Sequence, residues 1–256
     1  MKIAIVTGAS SGLGLEYVRQ ISAQKKPDEI WIIARREERL RQITKLVSTP
    51  LRVLALDLTV DEDIDKLRQL LRDDEPEVQM LVNSAGIGKM GNYSQISDND
   101  VSGMINLNCR ASVEITNAVL PYMHKGGSIL QVSSTAAFQP LPGFNVYAAT
   151  KAFLLSYSRG LKFELLSRGI NVTAVCPYWV KDTEFISIAR HSGDSNAIRH
   201  FPMAGTKRNV VKASLRDADR GVLVSTPGTV ATLHRAVAKA LPTFVSVCLW
   251  ELFRRT

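Results

Sequence analysis

Residues that commonly build metal and disulfide sites are scarce in this chain, which has 3 cysteines and 4 histidines in 256 residues. Cys109, Cys176 and Cys248 lie far apart and match no redox or zinc spacing, so they read as small buried hydrophobes of a reducing compartment. His124, His191, His200 and His234 follow no ligand pattern, read as structural or surface side chains, and leave no metal in the expected chemistry. Long hydrophobic runs are missing too; none approaches the roughly 18 apolar residues of a membrane span. The opening "MKIAIVTGAS" is too short in its apolar stretch for a signal peptide and meets glycine at once. There is no internal repeat or low-complexity tract. A cytoplasmic location is the expectation.

Hydrophobic residues at 45% and charged residues at 22% are ample for a large core and exclude the disordered and fibrous classes. The net charge of +8 is unevenly placed, with 16 basic against 17 acidic side chains in residues 1–150 and 16 against 7 in residues 151–256. That excess is scattered and lacks the aromatic interleaving of a single-strand binding groove, so no nucleic-acid partner is expected. It reads as a solvated basic surface, with an anionic ligand or membrane surface as the other reading.

Short Val- and Ile-rich runs alternate with helix-period segments: "KIAIVT", "EIWIIA", "LRVLAL", "VQMLVN", "GSILQVS" and "INVTAVC", separated by helices near 12–25, 36–47, 61–73, 98–123 and 147–168. Continuously apolar strands are those buried on both faces. The alternation predicts one α/β domain over residues 1–256, a doubly wound parallel sheet of the Rossmann type, about seven strands with helices on both faces. Pro27, Pro76, Pro121, Gly126, Gly127 and Gly169 mark the joints. After "CPYWV" the pattern fails. Residues 178–206, containing Gly193, Pro202 and Gly205, read as a substrate-binding loop or lid just past a strand end. A helix near 207–219, a short strand "VLVST" and a helical tail over 229–256 complete the domain.

Where the first strand meets the first helix stands "VTGASSGLGLEYV", with Gly8, Gly12 and Gly14 spaced GxxxGxG. Such a turn needs glycine dihedrals and aims backbone N–H groups of a helix N-terminus at a pyrophosphate. The second strand ends "WIIARREERL". No carboxylate stands there to bond an adenosine ribose, and Arg35 and Arg36 follow at once. A guanidinium fork suits a 2′-phosphate, so NADP(H) is the preferred cofactor over NAD(H).

Tyr147 and Lys151 are four apart in "NVYAATKAF", hence neighbours on one helix face. With "TGASSGLG" (7–14), "NSAG" (83–86), Asn108, Ser134, "YAATK" (147–151) and "CPYWV" (176–180), the chain resembles the short-chain dehydrogenases/reductases over about its first 185 residues. The resemblance implies that Tyr147 is the catalytic acid/base, Lys151 its activator, Ser134 the holder of the substrate oxygen, and Asn108 the anchor of a water relay to the lysine. It also implies a cofactor site of Gly8, Ser10, Ser11, Gly12, Leu13, Gly14, Arg35, Arg36, Asp57, Leu58, Asn83, Ala85, Gly86, Tyr147, Lys151, Pro177, Val180 and Thr183. Ser134 is preferred to Ser133, and Asn108 to Asn106, by spacing. An ammonium beside Tyr147 favours the phenolate, whose parent phenol has an ordinary pKa of about 10.

The pattern departs from the family at Ser84, where a second asparagine is usual, and at Tyr178, where glycine commonly follows proline. Thr183 also stands one place late. Tyr178 and Trp179 are therefore either an aromatic wall of the substrate pocket or packing for the lid. The tail "LPTFVSVCLWELFRRT" reads as a core or subunit-contact helix, with an interfacial membrane helix as the sharper alternative. Together these imply an oxidoreductase that moves hydride between nicotinamide and a carbonyl or secondary alcohol, as a homodimer or homotetramer. The competing readings are a catalytically silent NADP(H)-binding or sensing protein and a nucleotide-sugar-modifying relative.

Overall fold

Branched and aromatic side chains suit a pleated surface, and the Val- and Ile-rich runs form strands accordingly. The computed structural model describes residues 1–190, 197–198 and 203–255. Its strands are β1 (Lys2–Thr7), β2 (Glu29–Ala34), β3 (Leu51–Ala55), β4 (Glu77–Asn83), β5 (Ser128–Val132), β6 (Asn171–Val175) and β7 (Val224–Ser225). They make one seven-stranded sheet in the order β3-β2-β1-β4-β5-β6-β7, parallel throughout. The helices are α1 (Gly12–Gln24), α2 (Glu37–Ile43), α3 (Asp61–Asp74), α4 (Asp98–Ile105), α5 (Ala111–Val119), α6 (Asn145–Glu164), α7 (Phe185–Arg190), α8 (Lys207–Asp219), α9 (Thr229–Ala240) and α10 (Thr243–Arg255).

Alternate residues of each strand feed opposite cores. Ile3, Ile5, Trp31 and Ile33 pack against Leu67 and Leu71 of α3, Ile115 and Val119 of α5, and Leu161 of α6. Ala4, Val6, Ile30 and Ile32 pack the other way, on Tyr17, Val18 and Ile21 of α1, Leu40 of α2, and Val211 and Leu215 of α8. Each large side chain so buried contributes about 1.5–3 kcal/mol. This is the single-domain, doubly wound architecture that the apolar runs predict. Strand order reverses at β1, which lies between β2 and β4, so a crevice opens at the C-terminal strand ends beside it.

Several boundaries differ from the sequence-based reading. The expected helix over 98–123 is broken by a π turn at Asn106–Arg110 and ends in a 3-10 turn at Leu120–Tyr122, where Pro121 removes a backbone donor. The helix expected over 36–47 stops at Ile43, and the short strand "VLVST" contributes only Val224 and Ser225 to the sheet. The tail is two helices rather than one, interrupted at Pro242. Its second helix folds back on the body: Trp250 Nε1 donates to the Pro142 carbonyl at 2.9 Å. Within the expected lid, α7 is the helical piece, and His191, Gly193, Arg199, His200 and Pro202 lie outside the described residues. Cys248 is exposed, unlike Cys176 in the core. Among the described residues no helix is long and apolar enough to cross a membrane.

Candidate active site

The crevice at the reversal of strand order is a cleft of about 470 Å³. Its floor begins at the glycine turn. Gly8 and Gly12 have φ of 66° and 56°, a left-handed conformation that favours glycine. Space is as restrictive as conformation: a Cβ on Gly14 would stand 2.2 Å from the Gly8 carbonyl oxygen, and one on Gly8 would stand 2.8 Å from the Ala85 backbone. Thr7 Oγ1 fixes the facing segment by accepting from Ser84 N at 3.1 Å and Ala85 N at 3.0 Å. Ser10, Ser11 and Leu13 line the cleft with the glycines, at the N-terminus of α1, where first-turn N–H groups lack helical partners.

Arg35, Arg36, Asp57 and Leu58 line the neighbouring end. Arg36 donates to Ser10 Oγ at 3.1 Å and Ser11 Oγ at 3.0 Å, while Arg35 lies 3.7 Å from the Asp57 carboxylate. Asp57 also accepts from Thr59 N and Oγ1, which sets its side chain at the end of β3. Two partners appear here that the sequence reading does not name. Glu184 pairs with Arg39 at 2.7 Å and with Arg36 at 3.2 Å. Those hydrogen bonds, Arg39 first and Arg36 second, hold the Glu184 carboxyl below the usual carboxylate range.

At the other end stand Ser134, Tyr147 and Lys151, all on the cleft wall. Ser134 caps the short 3-10 turn after β5, its Oγ accepting from Ala136 N at 3.1 Å. Its neighbour Ser133 is committed elsewhere, donating to the Lys151 carbonyl at 2.8 Å. Tyr147 lies in the first turn of α6, stacked on Phe144 with ring centroids 4.3 Å apart. Burial pushes the Tyr147 phenol well above its ordinary value, and the neighbouring Ser134 hydroxyl works against that rise. Lys151 Nζ lies 5.6 Å from the Tyr147 ring centroid and donates to the Val132 carbonyl at 2.8 Å. Burial lowers Lys151 to about 8, opposed by Cys109 and Cys176.

Asn108 sits inside the π turn, fully buried. Its amide accepts from Ile87 N at 2.9 Å, donates to Ile87 O at 2.8 Å and to Thr150 Oγ1 at 3.0 Å. The side chain therefore ties the Gly86–Ile87 wall to α6 from behind, without lining the cleft itself. Asn106 is half-buried and does not take this place. Gly86 permits the arrangement, since a Cβ there would meet Asn108 Oδ1 at 3.1 Å and Lys151 Nζ at 3.3 Å. Asn83 is likewise behind the wall, donating to Ser112 O and Thr116 Oγ1.

The segment after β6 closes the cleft. Pro177, Tyr178, Val180 and Thr183 line it, and the Thr183 methyl is 3.6 Å from where a Gly12 Cβ would be. Tyr178 and Trp179 divide. Tyr178 reaches the cleft and packs edge-on against His234, whereas Trp179 stacks over Phe144 at 6.0 Å, outside the lining. Phe185 and Ile188 of α7 add apolar wall, with the Phe185 ring 5.4 Å from that of Tyr147. Phe144, three residues before Tyr147, had a helical-spacing signal in the sequence; Glu184 and Phe185 had none.

Comparison with known proteins places the chain in a family with this fold. The sequence profile described as short chain dehydrogenase matches residues 2–192. An uncharacterised oxidoreductase of Staphylococcus epidermidis is 33% identical over 178 residues, covering 69% of this chain and 76% of that protein. A short-chain dehydrogenase from Sphingobium yanoikuyae, solved in complex with NADPH, superposes with a TM-score of 0.77 at 27% identity, covering 94% of this chain and 96% of the other. The bulky-bulky ketone specific alcohol dehydrogenase from Comamonas testosteroni gives a TM-score of 0.74 at 26% identity, covering 94% and 95%.

Proposed function

Since this chain belongs to the short-chain dehydrogenase family of oxidoreductases, we propose that it is an NADP(H)-dependent enzyme interconverting a carbonyl and a secondary alcohol. The observation that carries the reading is the convergence of Ser134, Tyr147 and Lys151 on the cleft that begins at the glycine turn. Gly8 and Gly14, where any Cβ would collide with backbone, let the turn pack tightly on the N-terminus of α1, whose unpaired first-turn N–H groups suit a pyrophosphate. Arg36, Ser10 and Ser11 offer donors suited to a 2′-phosphate, and the NADPH-bound relative supports that choice. When bound, the nicotinamide supplies or accepts the hydride.

The chain's own residues handle the proton. Burial keeps Tyr147 a phenol near neutral pH, so it holds the proton a carbonyl oxygen needs as it becomes an alkoxide. Ser134, on the same cleft wall as the phenol, fixes the substrate oxygen beside it. Lys151, largely protonated below its lowered pKa of about 8, stabilises the phenolate left by reduction, and in oxidation that phenolate takes the alcohol's proton back. Asn108 is a positioning residue that holds Ile87 and Thr150 in place. Ile87, Tyr178, Phe185 and Ile188 give the substrate side an apolar wall, which suits an apolar ketone or aldehyde.

Replacing Tyr147 with Phe tests the assignment. NADPH binding should persist, while turnover falls by about three orders of magnitude, the scale of a lost general acid. The assay is oxidation of NADPH against NADH across ketones, aldehydes, steroids and acyl-thioesters. Full turnover in the variant, or a strong NADH preference in the parent, counts against the proposal.

A further inference from the structure

Glu184 stands at the head of α7, where its carbonyl accepts from Ser187 Oγ at 2.8 Å and Ile188 N at 3.0 Å. Its carboxylate reaches across to a segment 145 to 148 residues earlier, with Oε1 2.7 Å from Arg39 Nη1 and Oε2 3.2 Å from Arg36 Nη1. Arg36 is at the same time bonded through Nη2 to the hydroxyls of Ser10 and Ser11 on the glycine turn. Glu184, Arg36, Ser10 and Ser11 all line the one cleft. Two guanidiniums hold the anionic group, and two hydroxyls brace one of them, a donor arrangement that a phosphate monoester takes. An acid from the substrate-side strap fills it.

We propose that Glu184 is a specificity-determining residue of the dinucleotide site, its carboxylate standing in for the adenosine 2′-phosphate and competing with it for Arg36 and Arg39. The proposal rests on the NADP(H) reading above and goes beyond it. A carboxylate and a phosphate repel each other if both stay, so the phosphate displaces Glu184 from the guanidiniums. Glu184 can leave without opening the core, since its side chain is 42% exposed.

The strap that carries it is held independently on its other side. Val180 bridges to Gly205, and Asp182 accepts from Lys207 N at 2.8 Å. Displacement therefore frees only the Glu184 end, the end that leads into Phe185 and Ile188 of the substrate wall. NADP(H) unties that wall from the head of α2, whereas NAD(H), with a hydroxyl in the same position, leaves it tied. Cofactor choice and substrate access are coupled through one side chain.

The test compares wild type with Glu184→Gln, which keeps the shape and removes the charge, by titrating NADPH, NADH and 2′,5′-ADP at low and high salt. Glu184→Gln should bind NADPH and 2′,5′-ADP about fivefold tighter at low salt, the scale of one exposed like charge removed, with NADH changed less than about twofold. Hydrogen exchange over residues 183–190 should quicken when NADPH binds wild type, and should already be quick in the variant without ligand. Unchanged or weaker NADPH binding in the variant, or an equal gain for NADH, overturns the competition while leaving the NADP(H) reading intact. Failure of wild type to bind NADPH at all overturns both.

Discussion

At the Tyr147 end of the cleft, side chains are buried and tied to backbone; at the Arg36 end they are half-open and tied to one another. Lys151 donates to the Val132 carbonyl and Asn108 brackets the Ile87 peptide, whereas Arg36 and Arg39 share a Glu184 carboxylate across the surface. The proposed function would account for the difference. Positioning a phenol within hydrogen-bond reach of a substrate oxygen requires fixed atoms, and burial supplies both rigidity and displaced proton affinities. Capturing and releasing an anionic cofactor requires partners that exchange readily, and exposed ion pairs worth roughly 0.2–1 kcal/mol do so. One end is built for precision and the other for exchange.

The sharpest way to break that contrast is at the turn between the ends. Gly14→Ala places a methyl against the Gly8 carbonyl oxygen at 2.2 Å, and only a backbone shift can relieve it. A loss of about 3 kcal/mol in urea unfolding is expected, with cofactor binding lost as well; a variant as stable as the parent would show that the turn is not packed as described.

A smaller effect tests burial at the Tyr147 end. Lys151 has a folded pKa of about 8 against an ordinary 10.5. Below pH 8 both states carry the proton, so the cost of burying the ammonium is fully present. Between these values the native chain releases it while the unfolded chain keeps it, so stability rises with pH. Tyr147, with its pKa raised, acts oppositely above about pH 10. Thermal melts of wild type should therefore gain on those of Lys151→Met from pH 8 to 10; parallel curves would remove burial as the cause.

The mildest test addresses the exposed end. Arg36→Ala should weaken NADPH binding about tenfold at 50 mM salt and about threefold at 0.5 M, because exposed charges are screened. A loss that ignores salt would place Arg36 in the buried class.

How legible a feature was depended on how local its cause is. Tyr147 and Lys151 share one helix face, and "TGASSGLG" carries its own dihedral demands, so both are visible within a few residues. Strands announced themselves because each is apolar on both sides, and two separate cores use those sides. Glu184 was invisible, since its meaning lies in Arg36 and Arg39 far upstream. The split between Tyr178 and Trp179 depends on Phe144 and His234, which pack them from different elements. The resemblance gives Asn83 a cofactor role and Asn108 a relay role, but not their depth: both side chains stand behind the cleft wall. The lid was legible only as a break in the alternation, and residues 191–196 and 199–202 lie outside the described part of the chain.

The π turn at Asn106–Arg110 also acts as a phase shifter. In an unbroken helix, Met104 and Ala111, one heptad apart, would point almost the same way, with about 100° of rotation for each residue. A π turn takes in about one residue more than its neighbours, so the second half of the rod is rotated by about that step relative to the first. The two halves then serve different cores: Met104 packs with Phe144 and Tyr147, while Ala111, Ile115 and Val119 pack on the sheet. A single rod thus meshes with two differently oriented gears, and Asn108 sits on the shaft where the change of phase is made.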